Sequence, residues 1–156
     1  MIDFIKIMAF LNDFSKNNNR EWFHTHTLER KQMMSEFEKF IEDLEIRIAN
    51  FDETILYYPP KDLIFKQVKD TRFSKDNTPY NPSFRAHIAP KGKPIPVGYY
   101  ICIKPNNESF IGGGFFTDIF SKATNDIRDS ISNHEKEFIQ IISNNLFMEN
   151  FIVEGN

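Results

Sequence analysis

The chain has one cysteine, Cys102, so no disulfide or thiolate metal cluster can form within it. That usage fits a reducing, cytoplasmic compartment. No apolar run approaches the ~20 residues that cross a bilayer, so no membrane segment is expected. The opening MIDFIKIMAF lacks a basic leader, and Asp3 and Lys6 interrupt its apolar run. It reads as a helix, not a targeting signal. There is no Gly-x-Ser-x-Gly elbow, no Walker loop and no serine with an evident partner. The four histidines, at 24, 26, 87 and 134, have no zinc-like spacing. His24 and His26 would point different ways from a helix. Neither a metal nor a cofactor is therefore expected. Repeats, linkers and low-complexity tracts are also missing.

What the chain does have is core material. Apolar residues make up 40% and aromatics 15%, with 17 Phe among 156 residues, enough for one ordinary domain over 1–156. Cys102 sits in an apolar strand and reads as a packing residue. Charge is unevenly spread. Residues 61–93 hold eight Lys/Arg against three Asp, a net of +5, so the rest carries −8 of a total of −3. This asymmetry hints at an anion-facing surface, not at the strongly basic footprint of a nucleic-acid binder. Tyr99, Tyr100, Phe110 and Phe116 could stack bases, but aromatics in strands are more often core, and nucleic acid is not the expected partner.

Periodicity supplies the elements. Phe4, Ile7, Met8, Leu11 and Phe14 predict a helix over 3–16, broken by Asn17-Asn18-Asn19. A long helix over 20–49 follows, with Asn19 as N-cap and Phe23, Met33, Phe37, Phe40, Ile41, Leu44 and Ile48 inward. The period then changes to two. Strands are expected at Leu63–Phe73, Ser83–Pro90, Val97–Lys104 and Ser109–Phe116, a meander over about 62–116. Helices at about 118–131 and 133–144 follow. Thr117 or Asp118 would cap the first, and a Ser132/Glu135 capping box the second. Phe151–Val153 looks strand-like. The expected fold is α+β: an antiparallel sheet of about four strands with helices from both ends packed on it.

The segment Lys66–Tyr80 carries the densest chemistry. Lys66, Asp70 and Arg72 share one face of the first expected strand, and Lys75 and Asp76 lie just beyond. Arginine suits a two-point grip on carboxylate or phosphate, and Asp70 could orient Arg72. The plainer alternative is a surface ion pair with a loop pinned by Pro79 and Tyr80. Gly112-Gly113-Gly114 weakens the fourth strand, either for a ligand's close approach or for a bulge or tight contact. The second of these is favoured. Asn18-Asn19-Arg20-Glu21-Trp22-Phe23 sets polar groups at a helix start, where Arg20 could meet an anion while Trp22 and Phe23 enter the core.

These motifs resemble a bacterial family catalogued as domain of unknown function 2461. The resemblance rests on Asn18–Phe23, Lys69-Asp70-x-Arg72-Phe73-Ser74-Lys75-Asp76-x-Thr78-Pro79-Tyr80, Gly98-Tyr99-Tyr100 and Gly112–Gly114, in that order. It covers nearly the whole chain and implies no particular activity. Lys66 and Lys69 stand where that family usually has arginine, and Asn77 where it has lysine. Its members usually run some tens of residues past Asn156. A chain ending here would expose apolar surface that a second copy could cover, so a homodimer is one arrangement the sequence leaves open.

Three functions remain open. The first is a small-anion site using Arg72, Lys75, Lys66, Arg20, Gly112 and Gly113. The second is an enzyme with Asp70, Asp76 or Tyr80 in acid–base roles. The third is a structural role for the ion-pair network.

Overall fold

The computed structural model describes residues 2–55, 58–70, 78–92, 94–115 and 121–154. They fall into two compact units, 1–115 and 116–156.

In the first unit, Ile7, Phe10, Leu11 and Phe14 recur on one face and are buried, which makes α1, Phe4–Lys16. Asp3 caps it by accepting from Lys6 N at 3.1 Å. Asn19 caps the next helix by accepting from Trp22 N at 2.9 Å. Where periodicity predicts one helix over 20–49, the chain makes two: α2, Arg20–Thr25, and α3, Thr27–Ala49. The break at His26 has a local cause. Thr25 Oγ1 donates to Glu21 O and Thr27 Oγ1 to His24 O, at 2.9 and 2.7 Å, while His26 Nδ1 lies 2.9 Å from Trp22 O. Side chains that bond back to carbonyls compete with the helical ladder. Met33, Phe37, Ile41 and Ile48 of α3 face the core.

Pro60 starts a short helix, α4, Pro60–Leu63, where its missing N–H costs nothing. Over the described residues 63–70, the strand expected at Leu63–Phe73 does not form. Leu63 ends α4, and only two isolated bridges follow, Ile64↔Ala86 and Val68↔Tyr80; 71–73 lie outside the described residues. Four residues on one side thus span six on the other. The excess is taken up at Pro82 and Ser83, where Ser83 N turns back to Asn81 O at 2.8 Å. Pro79 and Pro82 have no N–H to donate, so a continuous ladder is impossible here.

Among the described residues the sheet therefore has three strands, in the order β1 (Phe84–Ile88), β2 (Val97–Ile103), β3 (Phe110–Phe115), antiparallel throughout. The register is Phe84↔Ile103 and Cys102↔Phe110. Asn106 and Asn107, at φ 63° and 59°, turn β2 into β3, a geometry asparagine tolerates. Phe84 stacks on Phe37 at 5.4 Å and Phe10 at 6.3 Å, joining sheet to helices in one aromatic core. Gly98 is needed where β2 passes β1. A Cβ there would lie 2.4 Å from Ile88 O and 2.7 Å from His87 Nε2.

The second unit is helical: α5 (Ser121–Asn133), α6 (Glu135–Ile142) and α7 (Asn145–Asn150). Residues 116–120 lie outside the described residues, including Thr117, Asp118 and Ile119. The expected Ser132 cap is not made, because Ser132 Oγ donates to Arg128 O at 3.0 Å and the junction falls at His134. Phe151–Val153 forms no strand. Ala123, Ile131, Phe138, Ile142 and Phe147 are half-buried, while Ile127 and Ile141 stay exposed.

Candidate functional site

The polar segment opens on a stem. Val68 bridges Tyr80, Lys69 N donates to Pro79 O at 3.0 Å, and Lys69 Nζ donates to Thr78 Oγ1 at 2.8 Å. Asn18 Nδ2 fastens the far side to Tyr80 O at 2.9 Å. Exposure alternates along the stem. Lys66, Val68 and Asp70 are exposed, Gln67 is buried and Lys69 half-buried. Arg72, Lys75 and Asp76 lie outside the described residues. Tyr80 is 6% exposed, and its ring stacks on Phe23 at 3.8 Å, so the ring is a core element. Arg20 is exposed at the start of α2.

Lys66 lines a cleft of about 390 Å³ between α3 and the segment after α4. Phe23, Met34, Ile64, Phe65 and Val68 supply its apolar surface. Arg30, Lys61 and Lys66 bring three cations, and Glu38 is the one carboxylate among its described lining residues. Among the described residues no carboxylate pairs with these three cations. The Arg30 guanidinium lies over the Phe23 ring, 4.3 Å from its centroid. Its Nε is buried without a hydrogen-bond partner, while its Nη atoms are not sealed off. Gln67 lines the same cleft. Its Nε2 donates to Ser83 O at 3.4 Å, and its Oε1 is buried without a partner.

Gly113 borders a different cleft, of about 210 Å³, with Gly114, Gly98, Val97, Asp52 and Tyr99 among its lining. Gly112 is in open space, with nothing within 4 Å of where a Cβ would be. Of the three adjacent glycines only Gly114 has a backbone that demands glycine, at φ 145°. Tyr99 Oη donates to Asp52 Oδ2 at 2.9 Å, and Asp52 Oδ1 accepts from Thr54 Oγ1 at 2.6 Å and Thr54 N at 3.1 Å. The Thr54 hydroxyl, then Tyr99, hold the Asp52 carboxyl below its usual range; burial, then Asp52, pushes the Tyr99 phenol up. Donors thus engage both Asp52 oxygens, which leaves it a poor proton acceptor.

The described residues among those named from sequence for an anion site do not share one cleft. Lys66 is in the first, Gly113 in the second, and Arg20 and Gly112 in neither. Tyr99 and Tyr100 alternate across β2. Tyr100 packs between Phe65 and Phe110, at 6.0 and 5.3 Å, so no single row of stacking platforms joins them. Sequence reasoning missed Arg30, Lys61, Glu38 and Gln67. One signal was present: Arg30, Met34 and Glu38 repeat every four residues beside the core stripe of α3.

Among the described residues no cluster of three or more His, Cys, Asp or Glu could hold a metal, and no helix is long and apolar enough to cross a membrane. A family model described as "Conserved hypothetical protein (DUF2461)" matches residues 6–156. No curated protein matches, and no solved structure does.

Proposed function

This chain belongs to the DUF2461 family, and we propose that it binds a small phosphate- or carboxylate-bearing ligand in the cleft between α3 and residues 61–68. The supporting observation is the convergence of Arg30, Lys61 and Lys66, with no carboxylate partner among the described residues, on a largely apolar cleft. Cations in a partly desolvated cleft attract anions more strongly than the same cations do in water. Arg30 is the anchor. Phe23 fixes its plane, and a planar fork already held still loses little freedom on gripping an anion. Lys66 is the residue this site shares with the polar segment. Arg72 and Lys75 belong to the same basic stretch of sequence and lie outside the described residues. The acid–base reading through Asp70, Asp76 and Tyr80 draws less support, since the Tyr80 ring is committed to the stack with Phe23.

Thermal shift with inorganic phosphate and benzoate tests this. An anion present at 100 times its dissociation constant should stabilise the protein by about 2.7 kcal/mol. Arg30→Met keeps an apolar stem over Phe23 and removes the charge. It should weaken binding by at least about tenfold, the lower end for a charge-assisted hydrogen bond. Unchanged affinity in Arg30→Met would overturn the site.

A further inference from the structure

We propose that the ligand of this cleft is an organic acid with an apolar body and a hydrogen-bond donor, not an inorganic anion. This rests on the anion-binding reading above and adds the identity of the ligand's other two parts.

The donor is called for by Gln67. Gln67 leaves 5% of its surface exposed, and one long hydrogen bond orients its amide. Nε2 faces the Ser83 carbonyl, and a flipped amide would set oxygen against oxygen. Its own backbone is held as well, with Asn81 N donating to Gln67 O at 2.7 Å. Oε1 is thus a buried acceptor with no partner, on a residue that lines the cleft. A buried acceptor left unsatisfied costs about 1–3 kcal/mol, so a ligand N–H or O–H that reaches it gains more than the same contact at a surface.

The apolar body is called for by the rest of the lining. Phe23, Met34, Ile64, Phe65 and Val68 offer no charge and no side-chain hydrogen bond. Val68 is 61% exposed. An inorganic ion would meet Arg30, Lys61 and Lys66 and leave this surface wet. Arg30 and Gln67 also present opposite needs: the accessible Arg30 Nη atoms have no carboxylate partner among the described residues, Gln67 Oε1 has no donor, and no hydrogen bond joins the two side chains. A molecule with an acid group at one end and a donor at another supplies both.

The experiment compares acetate, inorganic phosphate, benzoate and the 3- and 4-aminobenzoates by calorimetric titration of the full chain. Benzoate should bind at least about tenfold tighter than acetate, from burial of the ring. One of the two amino groups should add about threefold to tenfold, from the bond to Oε1. Gln67→Met, of similar length but without the acceptor, should abolish the amino preference, so that benzoate and both aminobenzoates bind alike. The wild-type series decides the matter even if that variant fails to fold. If acetate and phosphate bind as tightly as the aromatic acids, and Arg30→Met still abolishes them, the anion site stands and this inference falls. Equal affinity of benzoate and both aminobenzoates also overturns it. If no acid binds, the reading beneath it falls too.

Discussion

Glu45 is a carboxylate with one hydrogen bond to satisfy two oxygens. Oε1 accepts from Tyr58 N at 3.0 Å, and Oε2 is buried without a partner. Burial pushes its pKa up, the Tyr58 N–H opposes this, and neighbouring Glu42 adds to the rise. A folded pKa above the unfolded one means the stabilisation is fully present below the ordinary glutamate range and is lost as pH rises through the raised value. Glu45→Gln keeps an acceptor for Tyr58 and removes the charge. Its melting temperature should match wild type near pH 4 and exceed it at pH 8; a gap that does not widen with pH would refute the assignment. Two glycines make a matched pair. Gly98→Ala would drive a methyl into the Ile88 carbonyl and should cost about 1–3 kcal/mol by urea denaturation. Gly112→Ala enters open space and should be neutral or stabilising by up to about 1 kcal/mol.

At the scale of elements, the α1–α2 junction and the polar segment are held together by Asn18. Asn18→Ala leaves the Tyr80 carbonyl without that donor and should destabilise by about 1 kcal/mol in chemical denaturation. An unchanged midpoint would show that the two are held by aromatic stacking alone. The elements legible in sequence were those whose period and burial agree. The stripe of α1 marks a single buried face, and the alternation of Phe84, Ala86 and Ile88 marks the core face of β1, though His87 on its other face is buried as well. Residues 63–70 alternate as well, yet the strand fails because its would-be partner carries two prolines, a fact about the neighbour and not about the segment. The break between α2 and α3 was hidden for another reason: threonine and histidine side chains bond back to carbonyls, which apolar periodicity does not register. The site was legible only in part. Lys66 stood out inside a basic stretch, whereas Arg30 lies on a helix rich in glutamate, and only folding brings the two to one cleft.

For the molecule as a whole, the buried apolar cluster runs from Ile7 to Ile103 and lies wholly within residues 1–115. The described residues of 116–156 include no buried side chain. A chain of 1–115 should therefore unfold in one cooperative transition by circular dichroism. The isolated 116–156 peptide should melt gradually, as short helices without a core do. A gradual melt of 1–115 would show that its core needs the remaining residues. Cys102 has a further consequence at this scale. It is the only thiol, it sits between β1 and β3 at 5% exposure, and burial holds its sulfhydryl above the usual range. A labelling reagent reaches it only when the middle strand comes away from its neighbours. Each molecule thus carries one native clock: the rate at which that sulfur is tagged counts how often the sheet comes apart, with no probe introduced.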